Sequence, residues 1–167
     1  SLIKEGDYLL IGTWRKGLYV LNTKKNTLDQ YLPDENDSFS IRNNTISCML
    51  KTNNGTIWLG TMRGLNQVLI NKETGKAVFL LPPEDTCGTS ARMADKLIAF
   101  IHEDIKGFLW ILTTEDLGKI YPETGREVEC TKIEGHVAIR IQQDDKGNIW
   151  LGTRNGLCRF DTVANQI

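Results

Sequence analysis

The chain is poor in histidine, with only His102 and His136, which leaves acid–base catalysis near neutral pH few candidates. No apolar run approaches the ~20 residues that cross a bilayer; the longest candidates are VFLLPP and KLIAFIH, so no segment reads as a membrane span. The opening SLIKEGDYLLIGT lacks the basic-then-apolar order of a secretory signal. There is no concentrated basic footprint either: 20 Lys and Arg are scattered among 21 Asp and Glu, for a formal net charge of -1. That argues against a nucleic-acid partner. Cys48, Cys87, Cys130 and Cys158 stand far apart, in no C-x-x-C or Cys/His metal spacing, so they read as small apolar core fillers rather than zinc ligands, with their pairing left open. No Walker loop and no dinucleotide glycine pattern occurs, and GTSAR (88–92) is not a G-x-S-x-G elbow. The reading is therefore no catalytic residue, no metal and no cofactor.

What the chain does have is a repeat. Aligned on one strand, GDYLLIGTWRKGLYVL (6–21), NGTIWLGTMRGLNQVL (54–69), KGFLWILTTEDLGKIY (106–121) and KGNIWLGTRNGLCRFD (146–161) share a phase. Gly12, Gly60, Leu112 and Gly152 occupy one position and lie 48, 52 and 40 residues apart. A period near 40–50 residues, rich in β-branched and aromatic residues and punctuated by glycine, fits propeller blades and excludes helical repeats. In the second unit ISCMLK (46–51), TIWLGT (56–61), LNQVLI (65–70) and KAVFLL (76–81) read as four strands of an antiparallel meander. The third repeats them with IAFIHE, FLWILT, GKIYPE and REVECT.

A four-stranded sheet cannot bury both faces alone, so the recurrence has a physical reason: each blade packs on the next. Trp58, Trp110 and Trp150 are then packing residues. Gly12, Gly60 and Gly152 leave room for a neighbour's backbone, and Leu112, where glycine is otherwise found, implies looser packing in the third blade. Gly55, Gly107 and Gly147 before the Trp strand, and Gly64, Gly118 and Gly156 after it, are expected at positive φ. The first unit reads as starting at YLLIGT (8–13) with too little before it for another strand, and the fourth as stopping after LCRFD (157–161). The expected fold is all-β: a partial propeller of about three and a half blades over 1–167, with blade pieces near 6–35, 46–81, 98–131 and 138–167. A closed ring of four is the rival.

DDKGNIWLGTRNGL (144–157) and NNGTIWLGTMRGL (53–65) resemble the two-component regulator propeller repeat, and YLPDENDSFSIRNNTIS (31–47) resembles the connection between blades in that family. The first and third units match less closely. The resemblance implies the periplasmic sensor portion of a Bacteroidetes hybrid two-component histidine kinase, a family often tuned to oligosaccharides. It implies the remaining propeller blades of a parent chain as neighbours, and kinase and receiver parts elsewhere. The other reading is a propeller scaffold that binds protein and no small ligand. A polysaccharide lyase or hydrolase would need a cluster of carboxylates or histidines, which Glu115 with Asp116 does not supply.

Ligands are expected where loops ride on a rigid scaffold. Turns between second and third strands and the connections between blades are placed on one face, carrying Trp14, Arg15, Arg63, Glu115, Asp116, Arg154 and Asn155, with loops 36–43 and 87–95. Trp14 stands out because its equivalents are Met62, Thr114 and Arg154; an exposed indole can stack on a sugar ring while arginines bind hydroxyls or carboxylates. His102 takes the place of Leu50 and Gln142 and reads as an ordinary side chain near a turn, and Asp104 as an acceptor for turn backbone rather than a metal ligand. The two end blades would expose apolar faces, so the piece is expected to self-associate.

Overall fold

The computed structural model describes residues 1–82, 95–133 and 137–161. Among these residues fifteen strands form four antiparallel sheets. Blade 1 contains β1 (Leu2–Glu5), β2 (Tyr8–Gly12), β3 (Leu18–Asn22) and β4 (Thr27–Tyr31). Blade 2 contains β5 (Ile46–Lys51), β6 (Ile57–Thr61), β7 (Gly64–Ile70) and β8 (Ala77–Leu80). Blade 3 contains β9 (Ile98–Glu103), β10 (Leu109–Thr113), β11 (Asp116–Ile120) and β12 (Glu127–Lys132), and blade 4 β13 (Ala138–Gln143), β14 (Ile149–Thr153) and β15 (Gly156–Phe160). Each sheet keeps its strands in chain order, as meanders do. The fold is an open propeller arc of about three and a half blades, with no helix among the described residues.

Two details of the strands and turns differ from the sequence reading. Leu2–Glu5 is a strand after all, paired with β2 from Leu2↔Ile11 to Glu5↔Tyr8; a two-residue connection with Gly6 at φ 56° suffices to turn the chain, so four residues were enough. The second departure is Gly118, which lies inside β11 opposite Ile111 and is absent from the positive-φ glycines, which include Gly55, Gly64, Gly107, Gly147 and Gly156. Asp116, opposite the end of β10, fills the turn position that Gly64 and Gly156 hold in their blades, so the third strand begins before GKIYPE.

Three apolar clusters lie between successive blades. Leu10, Leu18 and Val20 meet Ile46, Ile57, Leu59 and Phe79 between blades 1 and 2. Trp58 and Leu65 meet Ile98, Leu109 and Ile111 between blades 2 and 3, and Trp110, Leu112 and Leu117 meet Ala138, Ile149, Leu151 and Phe160 between blades 3 and 4. No cluster of described residues joins blade 4 to blade 1, so they do not form the closed ring. Each fully buried aliphatic or aromatic side chain contributes about 1.5–3 kcal/mol. β6 and β10, with a blade on either side, are buried along their whole length. Trp58 and Trp110 are buried as expected, whereas Trp150 is only half-buried.

Gly12 and Gly60 seat a neighbouring blade's side chain, not its backbone, while a Cβ on Gly152 would meet only Arg140 Cβ of its own sheet, at 3.7 Å. A Cβ on Gly12 would lie 2.6 Å from Ile46 Cγ2, and one on Gly60 2.8 Å from Ile98 Cγ2. At the third seam the sizes are exchanged: Leu112 is fully buried in one cluster with Ala138, which takes the strand-start position of Ile46 and Ile98. Packing there is not loosened, because the small residue has moved to the opposite side. A second device caps the aromatics: Tyr8 Oη donates to Lys72 O at 3.3 Å and Trp58 Nε1 to Pro122 O at 3.1 Å. Gly75 and Gly125 lie on these rings at φ 78° and 71°, where a Cβ would come within 2.6 Å and 2.7 Å of them.

Candidate functional site

The turn after each Trp-equivalent strand is built by its threonine. Thr13, Thr61, Thr113 and Thr153 Oγ1 donate to the carbonyls of Gly17, Gly64, Asp116 and Gly156 at 2.7, 2.9, 3.3 and 3.0 Å. The same oxygens of the last three accept the backbone N–H of Arg63, Glu115 and Asn155. Four of these turns therefore present their central side chains at fixed positions. They are tied in turn to the connections between blades: Gly17 N donates to Asn44 O, Met62 N to Thr45 O, Gly64 N to Lys96 O and Arg154 N to Val137 O. These bonds set the turns beside the described parts of the connections.

Trp14 is 64% exposed and Arg15 sits at φ 68°, in a turn one residue longer than its counterparts. A left-handed arginine costs on the order of 1 kcal/mol, held here by the closure of Thr13 on Gly17. Arg154 and Asn155 project, exposed, from the blade 4 turn. The central residues are linked. Arg63 Nη2 lies 3.5 Å from Asp95 Oδ1, and the adjacent Lys96 Nζ lies 2.7 Å from Glu115 Oε2 and 2.6 Å from Asp116 Oδ2. These hydrogen bonds, to Asp116 first, raise the Lys96 pKa above the usual lysine value. Asp116 is 1% exposed and its Oδ1 has no partner among the described residues; it anchors Lys96 inside the fold and does not face solvent. Trp14 and Arg15, and Arg154 and Asn155, stay on their own turns at the two ends of the arc.

A cavity of about 490 Å³ opens beside Arg63. The connection from β4 to β5 forms most of its wall, including Asp34, Glu35, Asp37, Ser40, Arg42 and Asn44, and Arg63, Leu81 and Asp95 complete it. The loop is internally braced: Ser40 Oγ donates to Asp34 O, Asp34 Oδ1 accepts from Asn36 N, and Asp37 Oδ1 accepts from Phe39 N. Asn66, fully buried in β7, accepts the Arg42 N–H and fixes the loop from beneath. Arg42 and Lys96 were not singled out from sequence. Arg42 falls within the expected loop 36–43 and Lys96 just past the expected loop 87–95, but their roles depend on which loop a neighbouring blade brings close. The expected loop 87–95 lies outside the described residues apart from Asp95, as do Cys87 and His136.

Other expectations can be placed. Asp104 and Asp144 do bind turn backbone: Asp104 Oδ1 accepts from Lys106 N and Phe108 N, and Asp144 Oδ1 from Lys146 N and Asn148 N. Their second oxygens accept the indole N–H of Trp110 and Trp150, both at 2.9 Å. The Trp150 bond, followed by Asn148, holds the Asp144 carboxyl well below the usual carboxylate range. Cys48 is buried and its thiol is pushed up to about 11, chiefly by burial; Cys130 and Cys158 are half-buried against the second and third clusters. No group of three or more His, Cys, Asp and Glu suited to a metal ion occurs among the described residues.

The family described as two component regulator propeller matches residues 40–63 and 133–155, the blade starts and Trp strands of blades 2 and 4. Over those two stretches the chain is similar to the two-component regulator propeller repeat. The blade arrangement recurs, in fold terms, among solved structures. The extracellular domain of a hybrid two component system from B. thetaiotaomicron is 23% identical, with a TM-score of 0.72 over 96% of this chain and 20% of that one. A second such domain from the same organism is 20% identical, with a TM-score of 0.71 over 98% of this chain and 22% of that one. Virginiamycin B lyase from Staphylococcus aureus is 19% identical, with a TM-score of 0.59 over 97% of this chain and 52% of the lyase. At these identities the likeness is one of fold, and the chain spans about a fifth of the length of the two extracellular domains. Among curated proteins none matches the chain in sequence.

Proposed function

We propose that the chain is part of the extracytoplasmic, periplasmic sensor region of a hybrid two-component histidine kinase and response regulator, and that it takes part in recognising an oligosaccharide. The observation that carries this reading is the setting of turns against connections, where rigidly clamped turns and the braced connection between blades 1 and 2 surround a polar cavity with Arg42 and Arg63 in its wall. Hydroxyl-rich ligands need many fixed donors and acceptors, and the exposed indole of Trp14 on the blade 1 turn offers a separate stacking surface. The segment itself acts by binding, and phosphotransfer belongs to other parts of the parent protein. Signal output then requires that the ligand bind two arrangements of the receptor with different affinity.

Calorimetric titration of the chain with a panel of neutral and acidic oligosaccharides tests this. Saturable binding of at least one glycan, weakened about tenfold or more by Arg63→Ala or Trp14→Ala, is the expected result. No saturable binding across the panel removes the glycan reading. Protein docking is the second reading, favoured by the exposure of Trp14, Leu32 and Phe39 at 64%, 48% and 54%, since large exposed apolar side chains mark interaction surfaces.

A further inference from the structure

The seam between blades 3 and 4 carries a titratable group where the preceding seam carries a leucine. His102 lies on β9 directly opposite Trp110 of β10, and directly opposed residues share a face of the sheet. Its imidazole is therefore on the blade 4 side, with Trp110, whose ring meets Phe160 edge-on at 5.6 Å. The equivalent residue of blade 2 is Leu50, opposite Trp58 and packed on the cluster between blades 2 and 3. An imidazole in that place brings polar atoms the seam does not serve: Nε2 is buried and has no hydrogen-bond partner among the described residues.

The charges around it are accounted for elsewhere. On its own segment Glu103 Oε2 accepts from Asn53 N of blade 2, and both Asp104 oxygens are taken by Lys106 N, Phe108 N and Trp110 Nε1. Across the same sheet row, Lys119 of β11 holds its Nζ over the Phe108 and Trp110 rings at 4.3 and 5.1 Å, and Glu129 of β12 lies opposite Lys119. From blade 4, β13 contributes Arg140, whose guanidinium lies over Phe100 at 4.7 Å, and the neutral Gln142 and Gln143. Asp144, beyond β13, is engaged by its own turn and by Trp150. The remaining blade 4 residues in the seam are the apolar Ala138, Ile141, Ile149, Leu151 and Phe160, with the half-buried thiol of Cys158 packed against them.

We propose that His102 makes the seam between blades 3 and 4 acid-sensitive: the neutral imidazole is accommodated, and its protonation, which turns both ring nitrogens into donors, loosens blade 4 from blade 3. A buried donor without an acceptor, carrying charge, is costly where an unprotonated nitrogen was tolerated. Burial lowers the His102 pKa, against the opposing pull of Asp104 and then Glu103. A folded value below the ordinary 6.5 means that the opened state binds the proton more readily. The seam is then most stable above that pH and weakens as pH falls from it toward the folded value. The device stands independently of which ligand the turns and connections take.

The test combines an NMR titration of His102 in the chain with amide hydrogen exchange, corrected for intrinsic rates. The expected results are a pKa below 6.5 and faster exchange in β13 and β14 as the solution is acidified, by up to about tenfold per unit of depression, with β5 to β7 unchanged. His102→Leu, the side chain the repeat itself uses in blade 2, abolishes the acid response of β13 and β14; His102→Gln, the side chain that blade 4 carries at Gln142, does the same if the leucine variant folds poorly. A His102 pKa at or above 6.5, or an acid response that survives in the substituted chain, overturns the proposal.

Discussion

Lys96 illustrates how much a single residue can carry without belonging to a motif. It neutralises Asp116, whose side chain is 1% exposed, and bridges to Glu115, whose side chain is 71% exposed. The exposed arm is worth little, but leaving Asp116 charged and unpaired is expensive. Lys96→Ala is expected to cost about 2–3 kcal/mol in urea unfolding, less than a fully buried pair because the lysine keeps some water, while Glu115→Ala costs under about 1 kcal/mol. Gly125 is as demanding for a steric reason. At φ 71° with Trp58 2.7 Å from a would-be Cβ, Gly125→Ala combines backbone strain with overpacking, an expected loss of about 2–4 kcal/mol in the same assay. Asp144 sets an acid limit of another kind. Its folded pKa is depressed, so it adds stability that is complete above the ordinary carboxylate value of 3.8 and is lost as pH falls through the folded value. Thermal melts of Asp144→Ala are expected to show a lower melting temperature at neutral pH and a smaller further drop in strong acid than the parent chain.

At the level of elements, the exchange of sizes between Leu112 and Ala138 predicts a specific non-additivity. Leu112→Gly opens a void and Ala138→Ile overfills the seam, each costing about 2–4 kcal/mol. The double substitution recreates the glycine–isoleucine contact of the other seams and is expected to recover at least about 1 kcal/mol of the summed loss in a double-mutant cycle. The same position shows what a sequence can convey. The strands of blade 2 and the order of blades were legible because Trp, Gly and Thr recur in phase and turn glycines mark the hairpins. What Leu112 would do was not, since the compensating residue lies 26 positions away on another sheet and only the seam brings them together. β1 was missed because four residues of LIKE carry little alternation, and Gly118 because Asp116 holds the turn position that is glycine in the neighbouring blades, so the nearest glycine lies inside the strand. The candidate site divides likewise: the turns of Arg63 and Asn155 follow from the motif, whereas Arg42 and Lys96 depend on where the connections between blades come to rest.

For the whole molecule, the outer faces of the first and last blades expose apolar side chains among the described residues. On blade 1, Leu2 with Ile11, and Leu9 with Leu21 and Leu28, line up on the side away from blade 2; Leu2 and Leu28 are 66% and 56% exposed. On blade 4, half-buried Trp150 and the 70% exposed Leu157 stand on the side away from blade 3. Such patches seek partners. The chain alone is expected to self-associate, its light-scattering mass rising with concentration and returning to the monomer value in Leu157→Lys with Ile11→Lys. A monomer mass at every concentration contradicts that expectation.

The glycine–isoleucine and leucine–alanine contacts also restrict how such a chain can be edited. Excising blade 3 would bring Gly60 opposite Ala138, small against small, and leave a hole; duplicating blade 3 in tandem would set Leu112 against Ile98, large against large. Gain or loss of a blade in this chain therefore requires a matched change at the junction, and the succession of blades is recorded in the sizes of the residues where they touch.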